Sequence, residues 1–121
     1  MEQFAPDVSD ADVERIVVRD FPVAEQDQIP ALISQVQVRE KPRVVLACLK
    51  NSGGDIIRLK YYLAEASGYY REHIGEAEYP NYIKKMFRID RLTEAEKAEI
   101  IEKDKNQYLA WLHREKADGD R

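Results

Sequence analysis

Arg43-Val44-Val45-Leu46-Ala47-Cys48-Leu49-Lys50-Asn51-Ser52-Gly53-Gly54-Asp55-Ile56-Ile57-Arg58-Leu59 is the stretch that decides the fold of this chain. Residues 44–49 are apolar without interruption, so the element they form is touched on most sides. A short apolar run fits a buried strand as well as a helix. No other stretch supplies a convincing partner strand, and Pro42 suits the first turn of a helix, so the reading is a helix over about 42–51. Gly53 can close it in the left-handed conformation, and Asp55 can cap the helix that follows. Ser52-Gly53-Gly54-Asp55 is therefore a connector between helices. It is not a phosphate loop, because no Gly-Lys-Ser/Thr follows and Asp55 repels phosphate.

Beyond the connector, Ile56, Leu59, Leu63 and Ala66 form an inner helical face, widened by Ile57 and by Tyr61 or Tyr62, with Gly68 placed to end it. A shorter helix from about Tyr70 to Ala77 leads to Tyr79-Pro80, where the residue before proline disfavours helix. Asn81 reads as the cap of a segment ending at Arg88, with Ile83, Met86 and Phe87 on one side. Thr93 and Glu96 form a capping box for the last helix. Ala98, Ile101, Tyr108 and Leu112 line one face of it, with Trp111 beside them and Lys105 interrupting.

Before the decisive stretch, Ser9 caps a helix carrying Val13, Ile16 and Val17 to about Arg19. The β-branched run Ile16-Val17-Val18 leaves a strand as the alternative there. Phe21-Pro22 closes this element, and Asp27 caps a helix with the stripe Ile29, Leu32, Ile33 and Val36, ending near Gln37. Residues 1–8 and 117–121 read as loose tails. The expected fold class is all-α: one domain over residues 1–121, a compact orthogonal bundle of five to seven short helices.

A length of 121 residues suits one domain with a single core. The net charge of −4 argues against generic polyanion binding. The charge is segregated: residues 1–38 hold eight acids against two bases, residues 39–92 seven against eleven, and residues 93–121 eight against six. A basic middle between acidic ends fits ends that pack beside it. Cys48 is the single cysteine, which excludes an internal disulfide and reads as a small buried hydrophobe in a reducing compartment. Glu2 and Asp7 stand where a signal peptide needs bases, and no apolar run approaches the roughly 20 residues that span a bilayer. The expectation is a soluble cytoplasmic protein without membrane attachment.

Leu49-Lys50-Asn51-Ser52-Gly53-Gly54-Asp55, Tyr70-Arg71-Glu72 and Ala77-Glu78-Tyr79-Pro80 together resemble a family of small, mostly bacterial proteins of uncharacterised activity. That family carries Leu-Lys-x-Ser/Ala-Gly-Gly/Asn-Asp, a helix, then Asp-Tyr-Arg-Asp and Ala-Glu-Tyr-Pro. The match covers about a third of the chain. Tyr69 stands where the family has Asp, and Glu72 replaces a second Asp. The resemblance implies an α-helical fold and a bacterial cytosolic setting, and no reaction.

Five residues form the first candidate site: Tyr70, Arg71, Glu76, Glu78 and Tyr79. Arginine offers a planar fork and tyrosine an apolar body with a polar tip, so the set suits a ligand or protein partner. Its structural reading is an Arg71–Glu78 or Arg71–Glu76 pair between tyrosines. Its catalytic reading is acid–base work by Glu76 or Glu78 with Tyr70 or Tyr79. Lys84, Lys85, Arg88 and Arg91, with Tyr82 and Phe87 among them, form a basic patch suited to nucleic acid or to an acidic partner, including the chain's own N-terminal region. His73 and Glu76 are half of a carboxylate–histidine pair with no second half in view, so no metal, cofactor or catalytic residue is assigned. The reading is a non-enzymatic protein-interaction or accessory module with a protein partner. The alternatives are a small-ligand or acid–base enzyme site around Tyr70–Tyr79, and nucleic-acid binding through residues 84–91.

Overall fold

Ser9 starts the first helix as its sequence requires: its backbone N–H donates to the Asp12 carboxylate at 3.0 Å. The computed structural model describes residues 5–115. In order they form α1 (Asp10–Asp20), α2 (Val23–Gln26), α3 (Ile29–Ser34), α4 (Lys41–Ser52), α5 (Ile56–Glu78), α6 (Pro80–Lys84), a 3-10 turn (Met86–Arg91) and α7 (Glu94–His113). Among the described residues the protein is an all-α bundle. No helix among them is long and apolar enough to cross a membrane.

The centre is α4. Val44, Val45, Leu46, Ala47, Cys48 and Leu49 are all buried, which a six-residue apolar run permits only when neighbours cover it all round. α5 covers it most extensively and α1 packs on it as well, while α7 lies against α5 and α6. Ile16, Phe21, Ile29, Leu59 and Tyr108 complete the core, each large apolar side chain contributing about 1.5–3 kcal/mol by leaving water. The β-branched run in α1 is helical because Val13, Ile16 and Val17 share the face that meets this core.

The connector has the expected geometry. Gly53 and Gly54 take φ of +61° and +83°, and the Asp55 carboxylate accepts from the N–H of Ile57 at 2.8 Å and of Arg58 at 3.2 Å. A Cβ on Gly54 would also stand 3.1 Å from the Asp20 carbonyl oxygen, whereas one on Gly53 meets open space. Gly54→Ala is therefore expected to cost more than Gly53→Ala, whose cost is the left-handed strain of about 1–2 kcal/mol. Urea unfolding of the two variants checks the order. Cys48 is wholly buried, and burial pushes its thiol up to about 12. A thiol reagent in mildly alkaline buffer should leave the native protein unlabelled and modify it stoichiometrically in denaturant.

Several boundaries differ from the sequence reading. The break expected at Gly68 is there as a kink: α5 spans 23 residues as two helical segments joined at Tyr69, whose φ of −123° and ψ of 28° are not helical. Ala66 before the kink and Ile74 and Ala77 after it are all buried in the same core, so packing holds the two segments end to end. With α7 at 20 residues, the helices are not all short. Asp27 closes α2 and does not open α3, which stops at Ser34, before Gln37. Ile57 and Tyr61 face solvent, and Tyr62 widens the inner face instead. On α7 Ala98 is exposed, and the buried line runs through Asp104, Tyr108 and Leu112. Val8 packs against the core, so the N-terminal tail is shorter than expected, while residues 1–4 and the predicted tail at 117–121 lie outside the described residues.

Candidate functional site

The Tyr70–Tyr79 set is split by its position on α5. Glu78 is buried and turned inward, where it accepts two hydrogen bonds from Arg43, from Nε at 2.8 Å and from Nη2 at 2.7 Å. The expected partner, Arg71, instead lies exposed with its guanidinium 5.6 Å from the Tyr70 ring centre. The fork that holds Glu78 therefore comes from α4 and not from α5 itself. Glu76 is exposed and accepts from the Tyr62 hydroxyl at 3.2 Å. Burial pushes the Glu78 carboxyl up against the opposing pull of Arg43, and burial with the Glu78 charge raises the Tyr79 phenol. His73 is buried edge-on to Tyr62, with ring centres 5.0 Å apart. Among the described residues no three His, Cys, Asp or Glu side chains gather where a metal could sit.

A second buried carboxylate fixes the next element. Asp104 of α7 accepts from the N–H of Asn81 and of Tyr82, each at 2.9 Å, and from the Asn81 side-chain amide at 2.8 Å. It supplies the acceptors that the start of α6 lacks, so Asn81 is the residue capped and not the cap. Gln107, one turn along α7, donates to the Ala77 carbonyl at 3.0 Å. Asp104 and Gln107 thus hold the end of α5 and the start of α6 on α7.

From there the chain turns outward into an elbow made of α6 and the 3-10 turn. Ile83, Met86 and Phe87 are 40%, 54% and 86% exposed, so their shared apolar character is not spent on the core. Lys84, Arg88 and Arg91 are exposed around them, Arg88 lying 6.0 Å from the Phe87 ring centre, and Lys85 is half-buried near Glu96. Three of the four basic side chains are therefore exposed beside an apolar tip.

Clefts also lie elsewhere. Between α1 and the α2–α3 region is a groove of about 550 Å³, with Val17, Val18, Ile29 and Ile33 in its wall and Asp10, Glu14 and Asp27 at its edge. A smaller cleft of about 300 Å³ gathers Arg19, Lys50, Trp111 and Arg114 beside the Gly53-Gly54 turn. Arg19 is already committed there, donating to the Trp111 and Arg114 carbonyls at 2.6 and 2.9 Å and to Asp20 at 2.7 Å, where it closes the C-terminus of α7. Burial lowers the Lys50 ammonium, against the pull of Glu76 and Asp104.

Sequence reasoning missed Arg43, Asp104 and the groove. Asp104 had a signal: it stands four residues from Ile100 and from Tyr108, on the apolar line itself. Arg43 had a weaker one, as the charged neighbour of a run buried all round. Val18 marked the groove by adding an apolar residue beyond the face that α1 needs. No protein-family model matches this chain, and neither a curated protein nor a solved structure matches it.

Proposed function

We propose that this chain is a non-enzymatic interaction module that docks a protein partner through the elbow of α6 and the 3-10 turn. The observation that supports it is the exposure of Phe87, at 86%, in a segment that also exposes Ile83 and Met86 among basic side chains. Single exposed apolar residues are ordinary, whereas three within five residues, ringed by charge, mark an interaction surface. Burying such a ring in a partner's pocket supplies affinity, and the surrounding bases select an acidic rim and speed encounter. Nucleic acid fits less well, since two of the three apolar groups are aliphatic and a chain of net charge −4 repels phosphate at distance. An acid–base site at Tyr70–Tyr79 has less support still, because Glu78 is taken up by Arg43 and Arg71 lies outside that pair. The sequence resemblance to small bacterial proteins supports a bacterial cytosolic setting.

A photo-crosslinking amino acid at position 87, activated in cells, tests the reading. The expected result is a protein adduct whose yield falls several-fold when Lys84→Glu and Arg88→Glu are added. Adducts to nucleic acid, or a yield indifferent to the charge reversal, would overturn it.

A further inference from the structure

The elbow and the α1–α3 groove are complementary in sign, polarity and size. We infer that the groove of one copy receives the elbow of a second copy, so that the protein associates head to tail. This rests on the reading of the elbow as a docking element, and it names the partner. The groove has an apolar wall that includes the exposed Val18, and its edge carries Asp10, Glu14 and Asp27. The elbow presents Phe87 and Met86 between Lys84, Arg88 and Arg91. A volume of about 550 Å³ accommodates the Phe87 ring together with the Met86 chain. The same segregation runs through the whole sequence, with eight acids against two bases over residues 1–38 and eleven bases against seven acids over residues 39–92.

No elbow residue lines the groove of its own chain, so the contact forms between copies. It joins two different surfaces, so a single contact leaves a free elbow and a free groove that can close into a ring or extend into an open chain. Because the patch is small and charged, association is weak, concentration-dependent and weakened by salt.

The experiment uses two variants of the full chain. Phe87→Glu with Arg88→Glu disables the elbow, and Val18→Lys with Glu14→Lys disables the groove; all four positions are exposed, and circular dichroism confirms each fold. In sedimentation velocity at low salt, the wild-type mass is expected to rise with concentration, while each variant alone stays at 14.1 kDa. Mixing the variants leaves one working elbow and one working groove, and should give a discrete pair. A wild-type chain that stays at single-chain mass at every concentration, variants that still self-associate, or a mixture without pairs would each overturn the inference. Charge-dependent crosslinking from position 87 to a different protein would then show that the elbow docks elsewhere, which separates the two readings.

Discussion

Arg43→Ala is expected to destabilise the protein by about 3–5 kcal/mol, because it strands a charge in the core. The Glu78 side chain is 0% exposed and both its oxygens are held by Arg43 at 2.7 and 2.8 Å. Removing the guanidinium leaves a carboxylate with neither water nor a counter-charge, in a domain whose whole stability is of order 5–15 kcal/mol. Urea unfolding measures the loss, and a value below about 1 kcal/mol would show that the pair matters little. Replacing both partners, Arg43→Met with Glu78→Leu, should recover much of it, since the pair's attraction mainly offsets its own desolvation.

The pH dependence has a definite sign. Burial raises the Glu78 carboxyl above its ordinary value of 4.5 despite the Arg43 fork. A carboxyl raised on folding binds its proton more tightly in the folded chain than in the unfolded one. Its contribution to stability is thus complete below the ordinary value and is lost as pH rises through the raised one. The stability of the wild type relative to Glu78→Gln should therefore grow on acidification from neutrality towards pH 4.5. A difference that shrinks would mean that Arg43 holds the carboxyl below its ordinary range.

Asp104→Ala is the second large effect, at about 2–4 kcal/mol, because it strands two backbone N–H groups and a side-chain amide in a half-buried place. Its signature is local. Asp104 fastens the start of α6, so hydrogen exchange at Asn81 and Tyr82 should accelerate more than exchange in α4. Asp104→Asn keeps one acceptor oxygen and should show an intermediate loss. Uniform acceleration across the fold would mean that Asp104 supports the core as a whole and not the elbow.

Three parts of the fold were legible from the residues. The all-round apolar run of α4, the Gly53-Gly54-Asp55 connector and the Thr93–Glu96 box all act over a few neighbouring positions, where sterics and short hydrogen bonds dominate. The break in α5 was legible as well, but not that its two halves stay joined end to end. Gly68 carries a local helix-ending signal that the kink at Tyr69 meets, while the burial of Ala66 and Ile74 on either side keeps both segments in one core.

For the candidate sites the division is sharper. The chain by itself determined that residues 84–91 are basic and apolar at once, and that Glu78 stands in a polar-aromatic segment. Only the tertiary structure decided that Phe87 points outward, that Arg43 from 35 positions away takes Glu78, and that Asp104 rather than Asn81 caps α6. The physical reason is reach. Helix periodicity and capping are set within about one turn, whereas a buried charge takes whichever partner the packing of separate helices brings within hydrogen-bond distance.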